Sequence, residues 1–176
     1  MTQIAILRIS DRASRGEYED LGGPGTEIWL RRIGAGPCSY IRQFVPDGIG
    51  SIPDALIALC DGENMGLVLT TGGSGSSPRV LTPEAMPQVI TKELPGLGEL
   101  MRQVSFEKVP TAILSRQTAG IRGRFLIVNL PGKRSSIEVC LQAVFAAVPY
   151  CLELTGAGTV MTDPARLQSY RPETPA

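Results

Sequence analysis

The segment best suited to chemistry is a glycine-rich loop, Thr71-Gly72-Gly73-Ser74-Gly75-Ser76-Ser77, which directly follows an apolar run at 66–70. Glycines permit a tight turn and a close approach of backbone N–H groups to a ligand, and the neighbouring hydroxyls add further donors. The loop has neither the Gly-Lys-Ser/Thr of a P-loop nor the spacing of a dinucleotide-binding GxGxxG motif. Two interpretations are open: a nest for a phosphate or carboxylate, and a simple turn.

Two aspartates are candidate oxygen ligands for Mg²⁺ or partners for a substrate hydroxyl. Asp11 lies in the polar loop 10–12 after the first apolar run, and Asp47 lies in the Pro-Asp-Gly turn 46–48. Each also has a structural interpretation, because Asp11 could cap its loop or pair with Arg12, and Asp47 has the residue type typical of turns.

Two further polar clusters are the Ser-Arg-Gln segment 115–117 and the Asn-Leu-Pro-Gly segment 129–132. A surface loop explains the first equally well, and Asn129 equally suits a side-chain cap of a turn. Four loops, 10–12, 46–47, 71–79 and 129–132, leave apolar runs at their carboxyl ends. Ligands of open α/β sheets bind beyond the carboxyl ends of the strands. We therefore expect the polar residues of these loops to converge on one rim.

Histidine is absent from the 176 residues. This excludes Ser-His-Asp and Cys-His catalysis in their usual forms, and also histidine-ligated metal sites. Chemistry here must use carboxylates, hydroxyls, backbone amides, Lys and Arg, or a hard cation bound by oxygen atoms.

The segments between these loops alternate between strand and helix patterns. Continuously apolar runs predict strands at 3–9, 39–45, 66–70, 111–115 and 124–130. Apolar residues at helical spacing and capping residues predict helices near 28–33, after Ser51 as N-cap, after Thr82 as N-cap, from Pro95, and at 137–148.

Buried strands that alternate with helices are typical of a mainly parallel sheet covered on both faces. The predicted fold class is therefore α/β, a three-layer, doubly wound, mainly parallel sheet with helices on both faces. The length predicts a single domain over 1–176. Three prolines after position 162 favour a flexible tail at about 163–176.

Composition narrows the expected partners and compartment. Lys plus Arg and Asp plus Glu number 17 each, whereas nucleic-acid and membrane-surface binders usually carry a basic excess. No apolar run approaches the ~18 residues of a membrane span, and the first residues lack a signal-peptide pattern. The four cysteines form no CxxC pair, so we expect free thiols. We expect a cytoplasmic protein with no nucleic-acid or membrane partner.

Taken together, the motifs resemble those of the molybdopterin adenylyltransferases of molybdenum-cofactor synthesis. The resemblance covers nearly the whole chain, and the stretch 109–120, Val-Pro-Thr-Ala-Ile-Leu-Ser-Arg-Gln-Thr-Ala-Gly, is highly specific. The segments that carry it are Ser10-Asp11-Arg12-Ala13-Ser14 with Gly16, Tyr18 and Asp20, then Pro46-Asp47, 70–75, Arg79, 82–85, 95–102, 109–123 and 129–133.

The resemblance implies a homotrimer and a magnesium-dependent reaction, in which AMP passes from ATP to the terminal phosphate of molybdopterin and pyrophosphate is released. It also implies the molybdenum-insertion protein as a partner. Asp47 would serve catalysis and magnesium binding. The implied substrate-binding residues are Ser10, Asp11, Arg12, Thr71, Gly72, Gly73, Ser74, Gly75, Arg79, Ser115, Asn129, Pro131 and Gly132.

Two positions depart from the family pattern near the expected magnesium site. Val80 stands where the family has the second carboxylate of its catalytic pair, and Gly48 stands where a glutamate usually follows the aspartate. Two hypotheses follow. In the first, the protein is a working adenylyltransferase in which Asp47, Asp11 or Glu84 partly compensates for Val80. In the second, it binds molybdopterin with weak or no adenylyl transfer.

Overall fold

The structure, a computed structural model, describes residues 2–17, 21–63 and 65–172. Tyr18 and Asp20, which contribute to the resemblance, lie outside these ranges. The strands and α-helices of the described residues are β1 (Thr2–Ile9), α1 (Asp11–Ser14), α2 (Gly22–Ile33), β2 (Cys38–Val45), α3 (Ser51–Ile57), β3 (Leu67–Thr71), α4 (Thr82–Ala85), β4 (Lys92–Glu93), α5 (Pro95–Phe106), β5 (Ala119–Arg122), β6 (Phe125–Leu130), α6 (Arg134–Val144) and α7 (Val148–Thr155).

The strands form one six-stranded sheet in the order β2-β1-β3-β6-β5-β4. The pairs β2–β1, β1–β3 and β3–β6 are parallel. The pairs β6–β5 and β5–β4 are antiparallel. The predicted mainly parallel sheet is therefore confirmed, with a short antiparallel edge added to it.

Alternate residues of the central strands pack into two hydrophobic clusters, one on each face of the sheet. Ile4 and Leu69 belong to the cluster that includes Trp29 and apolar residues of α6 and α7. Leu7 and Val68 belong to the cluster that includes apolar residues of α3 and α4. Because every side chain of β3 and β6 is buried, the sheet lies between two helical layers, as the continuously apolar strands predict.

The predicted strand at 111–115 is wrong. Residues Pro110–Leu114 form a 3₁₀ turn that begins with proline, and the side chains of Ile113 and Leu114 are exposed rather than paired in the sheet. The strand lies instead at Ala119–Arg122. Its position next to the β4 segment is fixed by Gly120, where an added Cβ would come within 2.7 Å of Ile90 Cδ1.

Two predicted helix caps also need correction. The third helix begins at Ser51 itself, with Gly50 as its N-cap, and the Ser51 hydroxyl donates a hydrogen bond to the Pro46 carbonyl at 2.9 Å. The fourth helix begins at Thr82, with Leu81 as its N-cap and no side-chain capping bond. Neither hydroxyl therefore caps its own helix. The Thr82 hydroxyl instead belongs to the candidate functional site.

By length and composition alone, the stretch Arg134–Thr155 could cross a membrane, contrary to the expectation from the sequence. It comprises α6, a 3₁₀ turn at Phe145–Ala147, and α7, which carries Pro149 in its first turn. Its apolar side chains, including Ile137, Leu141 and Phe145, are buried in the first hydrophobic cluster. The stretch therefore forms part of the core of the domain.

The chain returns after α7 to the edge of the sheet where the strands begin. The Thr2 hydroxyl donates to the Thr159 carbonyl at 2.6 Å, and Gly34 and Thr162 form an isolated antiparallel bridge. Within the predicted flexible tail, Leu167 is 5% exposed and Arg171 pairs with Glu153. The described part of that tail therefore makes specific contacts, and residues 173–176 lie outside the described residues.

Candidate functional site

The polar loops after β1, β2, β3 and β6 lie at one edge of the sheet, because these strands are parallel neighbours. The loop after β1 contacts the loop after β2, where Asp11 Oδ1 accepts a hydrogen bond from the Asp47 N–H at 2.9 Å. The loop after β3 contacts the end of β6, where the Gly72 N–H donates to the Leu130 carbonyl at 3.1 Å. We call this edge the rim.

Asp47 is half-buried at the rim, and its Oδ1 has no hydrogen-bond partner among the described residues. Burial raises the pKa of the Asp47 carboxyl above its ordinary value, and the nearby carboxylate of Asp11 acts in the same direction. The N–H of Leu81 and the guanidinium groups of Arg79 and Arg8 lower this pKa in turn. Asp47 is thus a partly desolvated carboxylate with one oxygen that accepts no hydrogen bond from the described residues.

The glycine-rich loop depends on two residues with positive φ, Gly72 at 89° and Gly73 at 64°. An added Cβ on Gly72 would lie 2.6 Å from the Ile9 carbonyl oxygen, and one on Gly73 would lie 2.0 Å from Thr82 Oγ1. The loop therefore packs tightly against the end of β1 and the start of α4. Only glycine fits both this conformation and this spacing.

We expect Gly73→Ala to lower the free energy of unfolding by about 2 kcal/mol or more, because left-handed strain adds to the overlap with Thr82. Gly75→Ala is the matched control, since its φ is not positive and no atom lies within 4 Å of an added Cβ. Urea unfolding followed by circular dichroism measures both variants. Equal stability of the two variants would show that the packing of Gly73 is not required.

Arg8 is a rim residue that the sequence patterns did not reveal, because it lies inside an apolar strand. It is 9% exposed, and its Nη1 donates to the Gly132 carbonyl at 3.3 Å. The same atom would lie 3.2 Å from an added Cβ on Gly72. The guanidinium therefore lies between the glycine-rich loop and the 131–133 loop. The sequence feature that could have indicated this position is a single arginine near the carboxyl end of an otherwise apolar strand.

Arg116 holds the other side of the glycine-rich loop. Its backbone N–H donates to the Ser74 carbonyl at 2.9 Å, and its Nε donates to the Gly75 carbonyl at 3.0 Å. Its Nη2 donates to the Val80 carbonyl at 2.9 Å, and Nη1 forms an ion pair with Glu84. Arg116 thus contacts the segment from position 74 to position 84, and the structure brings the predicted 115–117 cluster next to the glycine-rich loop.

Asn129 is buried behind the loop instead of capping a surface turn. Its Nδ2 donates to Thr70 Oγ1 at 3.0 Å and lies 3.5 Å from Met86 Sδ. Four buried side-chain oxygens of the described residues lack a hydrogen-bond partner, and all belong to rim segments: Asp47 Oδ1, Thr71 Oγ1, Thr82 Oγ1 and Asn129 Oδ1. Since buried polar atoms are normally satisfied, this concentration marks the rim as a place where water, an ion or a polar ligand can complete the hydrogen bonding.

A cleft of about 850 Å³ adjoins the rim between α5, the turn 110–114 and α6. Its lining includes Ser115 and Pro131, and Trp29 and Lys133 contribute to it as well. Ligand pockets commonly have volumes of roughly 300–1,000 Å³, so the cleft can accept a ring system of moderate size.

Some predicted site residues make contacts of another kind. Ser10 caps α1, its Oγ accepting from the Ala13 N–H at 3.3 Å. Arg12 and Arg79 are exposed at the rim. Val80 is half-buried, and among the described residues no group of three or more Cys, Asp or Glu side chains could hold a metal ion. At the rim the structure brings together the two acidic residues Asp11 and Asp47, through the Asp47 N–H.

Comparison with known proteins places these features in a family. Residues 5–150 match the family described as a probable molybdopterin binding domain. The chain is similar to the molybdopterin adenylyltransferase of Helicobacter pylori, with 47% identity over 97% of both chains. It is also similar to the molybdopterin adenylyltransferase of Escherichia coli K12, with 42% identity over 97% of this chain and 94% of that protein.

The fold agrees with that of a solved relative. The structure of the molybdopterin biosynthesis enzyme MoaB from Thermus thermophilus is similar to this one with a TM-score of 0.82 and 39% sequence identity. The match covers 90% of this chain and 99% of that one. The chain therefore belongs to the molybdopterin adenylyltransferase family and is an enzyme of molybdenum-cofactor biosynthesis.

Proposed function

We propose that this enzyme transfers AMP from ATP to the terminal phosphate of molybdopterin in a magnesium-dependent reaction that releases pyrophosphate. The observation that carries this proposal is the set of four unpartnered buried oxygens at the rim. The two threonine hydroxyls can donate to phosphate oxygens, and the Asp47 and Asn129 oxygens can accept from water, a cation or a ligand N–H. Such a mixed set suits a phosphorylated heterocycle better than an apolar ligand.

The glycine-rich loop supports phosphate binding in particular. Gly72 and Gly73 have positive φ, which turns the backbone sharply at the end of β3. Consecutive N–H groups in such a turn can converge on an anion, and parallel sheets place ligands at this edge. The guanidinium of Arg8 lies behind the same loop and adds positive charge.

The bond changes require little proton transfer. A terminal phosphate oxygen of molybdopterin attacks the α-phosphorus of ATP and forms a new P–O bond. The bond from that phosphorus to the oxygen bridging to the β-phosphate breaks, and its electron pair leaves with pyrophosphate. A phosphate monoester is already largely deprotonated at neutral pH, with a second pKa near ~6. The chain therefore has to position two anions and offset their charge, which agrees with its lack of histidine.

The residues at the rim fit a magnesium ion that arrives with ATP. Mg²⁺ is commonly bound by one or two carboxylates together with substrate phosphates and water. The unpartnered Oδ1 of Asp47 would supply one such oxygen, and the Asp11 carboxylate accepts a hydrogen bond from the Asp47 backbone N–H. When bound, the ion would offset negative charge on the phosphates. Asp47 would hold it there, and the rim amides would orient the phosphates.

An alternative is a molybdopterin-binding protein with weak or no adenylyl transfer. Val80 supports it, because valine cannot bind magnesium at the position of the family's second carboxylate. Glu84 does not obviously compensate, since its carboxylate is paired with Arg116, which also lowers the pKa of Glu84. Compensation would therefore depend on Asp47 and Asp11.

The experiment that separates these functions supplies the protein with molybdopterin, ATP and Mg²⁺ and follows adenylylated molybdopterin and pyrophosphate by chromatography. The proposal predicts both products in equal amounts, and their loss when EDTA removes magnesium. Retention of molybdopterin without either product would establish the alternative. Absence of both retention and product would contradict both functions.

We also propose the homotrimer and the cytoplasmic interaction with a molybdenum-insertion protein that the family resemblance implies. Exposed apolar side chains support an interface between chains, and four of them lie close together in sequence on the turn at the end of α5: Phe106, Val109, Ile113 and Leu114. Exposed large apolar side chains grouped in one segment commonly mark a contact with another protein.

A further inference from the structure

Gln117 is a buried residue of the cleft that the proposed reaction does not use. Its side chain is 3% exposed, and it lines the cleft next to Ser115. Ser115 Oγ donates to Gln117 Oε1 at 2.8 Å. On the other side of the amide, Gln117 Nε2 lies 3.4 Å from Cys140 Sγ and 3.8 Å from Met101 Sδ. The amide is therefore held between a hydroxyl and two sulfur atoms.

This environment fixes which way the amide points. A methionine thioether can only accept a hydrogen bond, so the NH₂ group of Gln117 belongs on the side of Met101. The Cys140 sulfur lies on the same side and can also accept weakly from this NH₂ group. The amide oxygen must then face Ser115.

The backbone of Gln117 is equally constrained. Its carbonyl accepts from Arg102 Nη1 at 2.7 Å, and an added Cβ on Gly98 would lie 2.4 Å from the same oxygen. Helix α5 thus packs directly on residue 117. These contacts fix the backbone from which the Gln117 side chain extends.

The fixed orientation of the Gln117 amide determines where the single hydrogen of the Ser115 hydroxyl points. A serine hydroxyl has one donor hydrogen and two acceptor lone pairs. Because Gln117 Oε1 accepts that hydrogen inside the protein, only lone pairs remain for a molecule in the cleft. An ordinary exposed serine could rotate to donate or accept, but this one is restricted to accepting.

We propose that Gln117 holds Ser115 as an obligate hydrogen-bond acceptor, so that the cleft selects a ligand presenting an N–H donor at that point. The inference rests on the proposed function in one respect, because the donor it would select is the 2-amino group of a pterin. Ser115 makes the contact with the ligand. Gln117 is a positioning residue that acts through Ser115.

The test compares two probes, 6-hydroxymethylpterin phosphate and the corresponding lumazine phosphate, in which oxygen replaces the 2-amino group. Fluorescence titration gives the Kd of each probe for the full chain and for three variants, Ser115→Ala, Gln117→Met and Gln103→Met. We expect the Kd of the original chain to be about tenfold lower for the pterin than for the lumazine. A difference of this size is usual when one ligand makes a hydrogen bond and the other meets a repulsive contact at the same point.

Ser115→Ala should reduce the preference to less than about threefold, because no acceptor remains. Gln117→Met should do the same while Ser115 is still present, since the serine hydrogen is then free to turn toward the lumazine oxygen. Gln103→Met is the matched control on the exposed side of α5, and it should keep the preference. Thermal unfolding of each variant verifies that it is folded.

Equal affinity of the original chain for both probes would overturn the inference, as would a preference that survives in Ser115→Ala or in folded Gln117→Met. Adenylyl transfer, measured separately on the same protein, reports on the proposed function. Transfer without probe selectivity contradicts the inference alone, and selectivity without transfer contradicts the proposed function alone.

Discussion

Asp47→Asn is expected to lower kcat for adenylyl transfer by about 10²- to 10³-fold, the usual effect of removing one group that stabilises charge in a transition state. Asparagine keeps the size of the side chain but cannot carry the negative charge that a cation requires. The Asp47 N–H bond to Asp11 involves the backbone, so the loop contact should persist in the variant. The measurement is the initial rate of pyrophosphate release at saturating ATP and Mg²⁺.

The pH dependence gives the same prediction a second readout. Burial raises the pKa of Asp47, so its charged form is lost at a higher pH than for an ordinary aspartate. The rate should therefore fall as pH decreases through this raised pKa, and Asp47→Asn should lack that limb of the profile. Asp54→Asn, at an exposed position on α3, is the control and should retain both rate and profile. Full activity of Asp47→Asn would remove Asp47 from the mechanism.

Val80→Asp is expected to raise the rate of adenylyl transfer by about tenfold or more, because it restores a carboxylate beside the proposed magnesium position. The backbone at this position is already fixed, since the Val80 carbonyl accepts from Arg116 Nη2 and its N–H donates to the Ser77 carbonyl at 3.0 Å. The substitution therefore changes the side chain with little change in its location. Initial rates at several magnesium concentrations should also show a lower half-saturating concentration of magnesium.

Val80→Asn separates charge from polarity, since asparagine has the same shape as aspartate without the charge. We expect Val80→Asn to transfer AMP no faster than the original chain. If the original chain is already as fast as Val80→Asp, then Val80 is not a catalytic deficiency. In that case Asp47 and Asp11 provide sufficient negative charge by themselves.

The central sheet could be predicted from the sequence because its strands are buried on both faces. A strand such as β3, in which every side chain is buried, has to be continuously apolar, and this pattern is visible without a structure. The antiparallel edge could not be predicted in the same way. Strand β5 reads Ala-Gly-Ile-Arg, and its fit depends on contact of Gly120 with Ile90, whereas the apolar segment 110–114 is an exposed turn.

The candidate site also contains some residues that could be predicted from the sequence and others that could not. The position of the glycine-rich loop and of Asp47 at one edge of the sheet was predictable, because both follow strands that the sequence predicts to belong to a parallel sheet. The position of Arg8 at the rim could not be predicted, since its contact is with a loop far away in sequence. The orientation of Gln117 depends on Met101 and Cys140, which no local pattern relates to it. The residue types of a loop can thus be interpreted from the sequence alone. Contacts between residues that are far apart in sequence require the structure.

The contact between Thr2 and Thr159 has a practical consequence for engineering. Because this contact lies where the strands begin, the start of β1 and the segment after α7 are remote from the edge that carries Asp47 and the glycine-rich loop. A tether, affinity handle or second enzyme attached on that side would leave substrate entry unobstructed. The geometry also favours immobilising the protein through the side on which the strands begin, with the rim directed into solution.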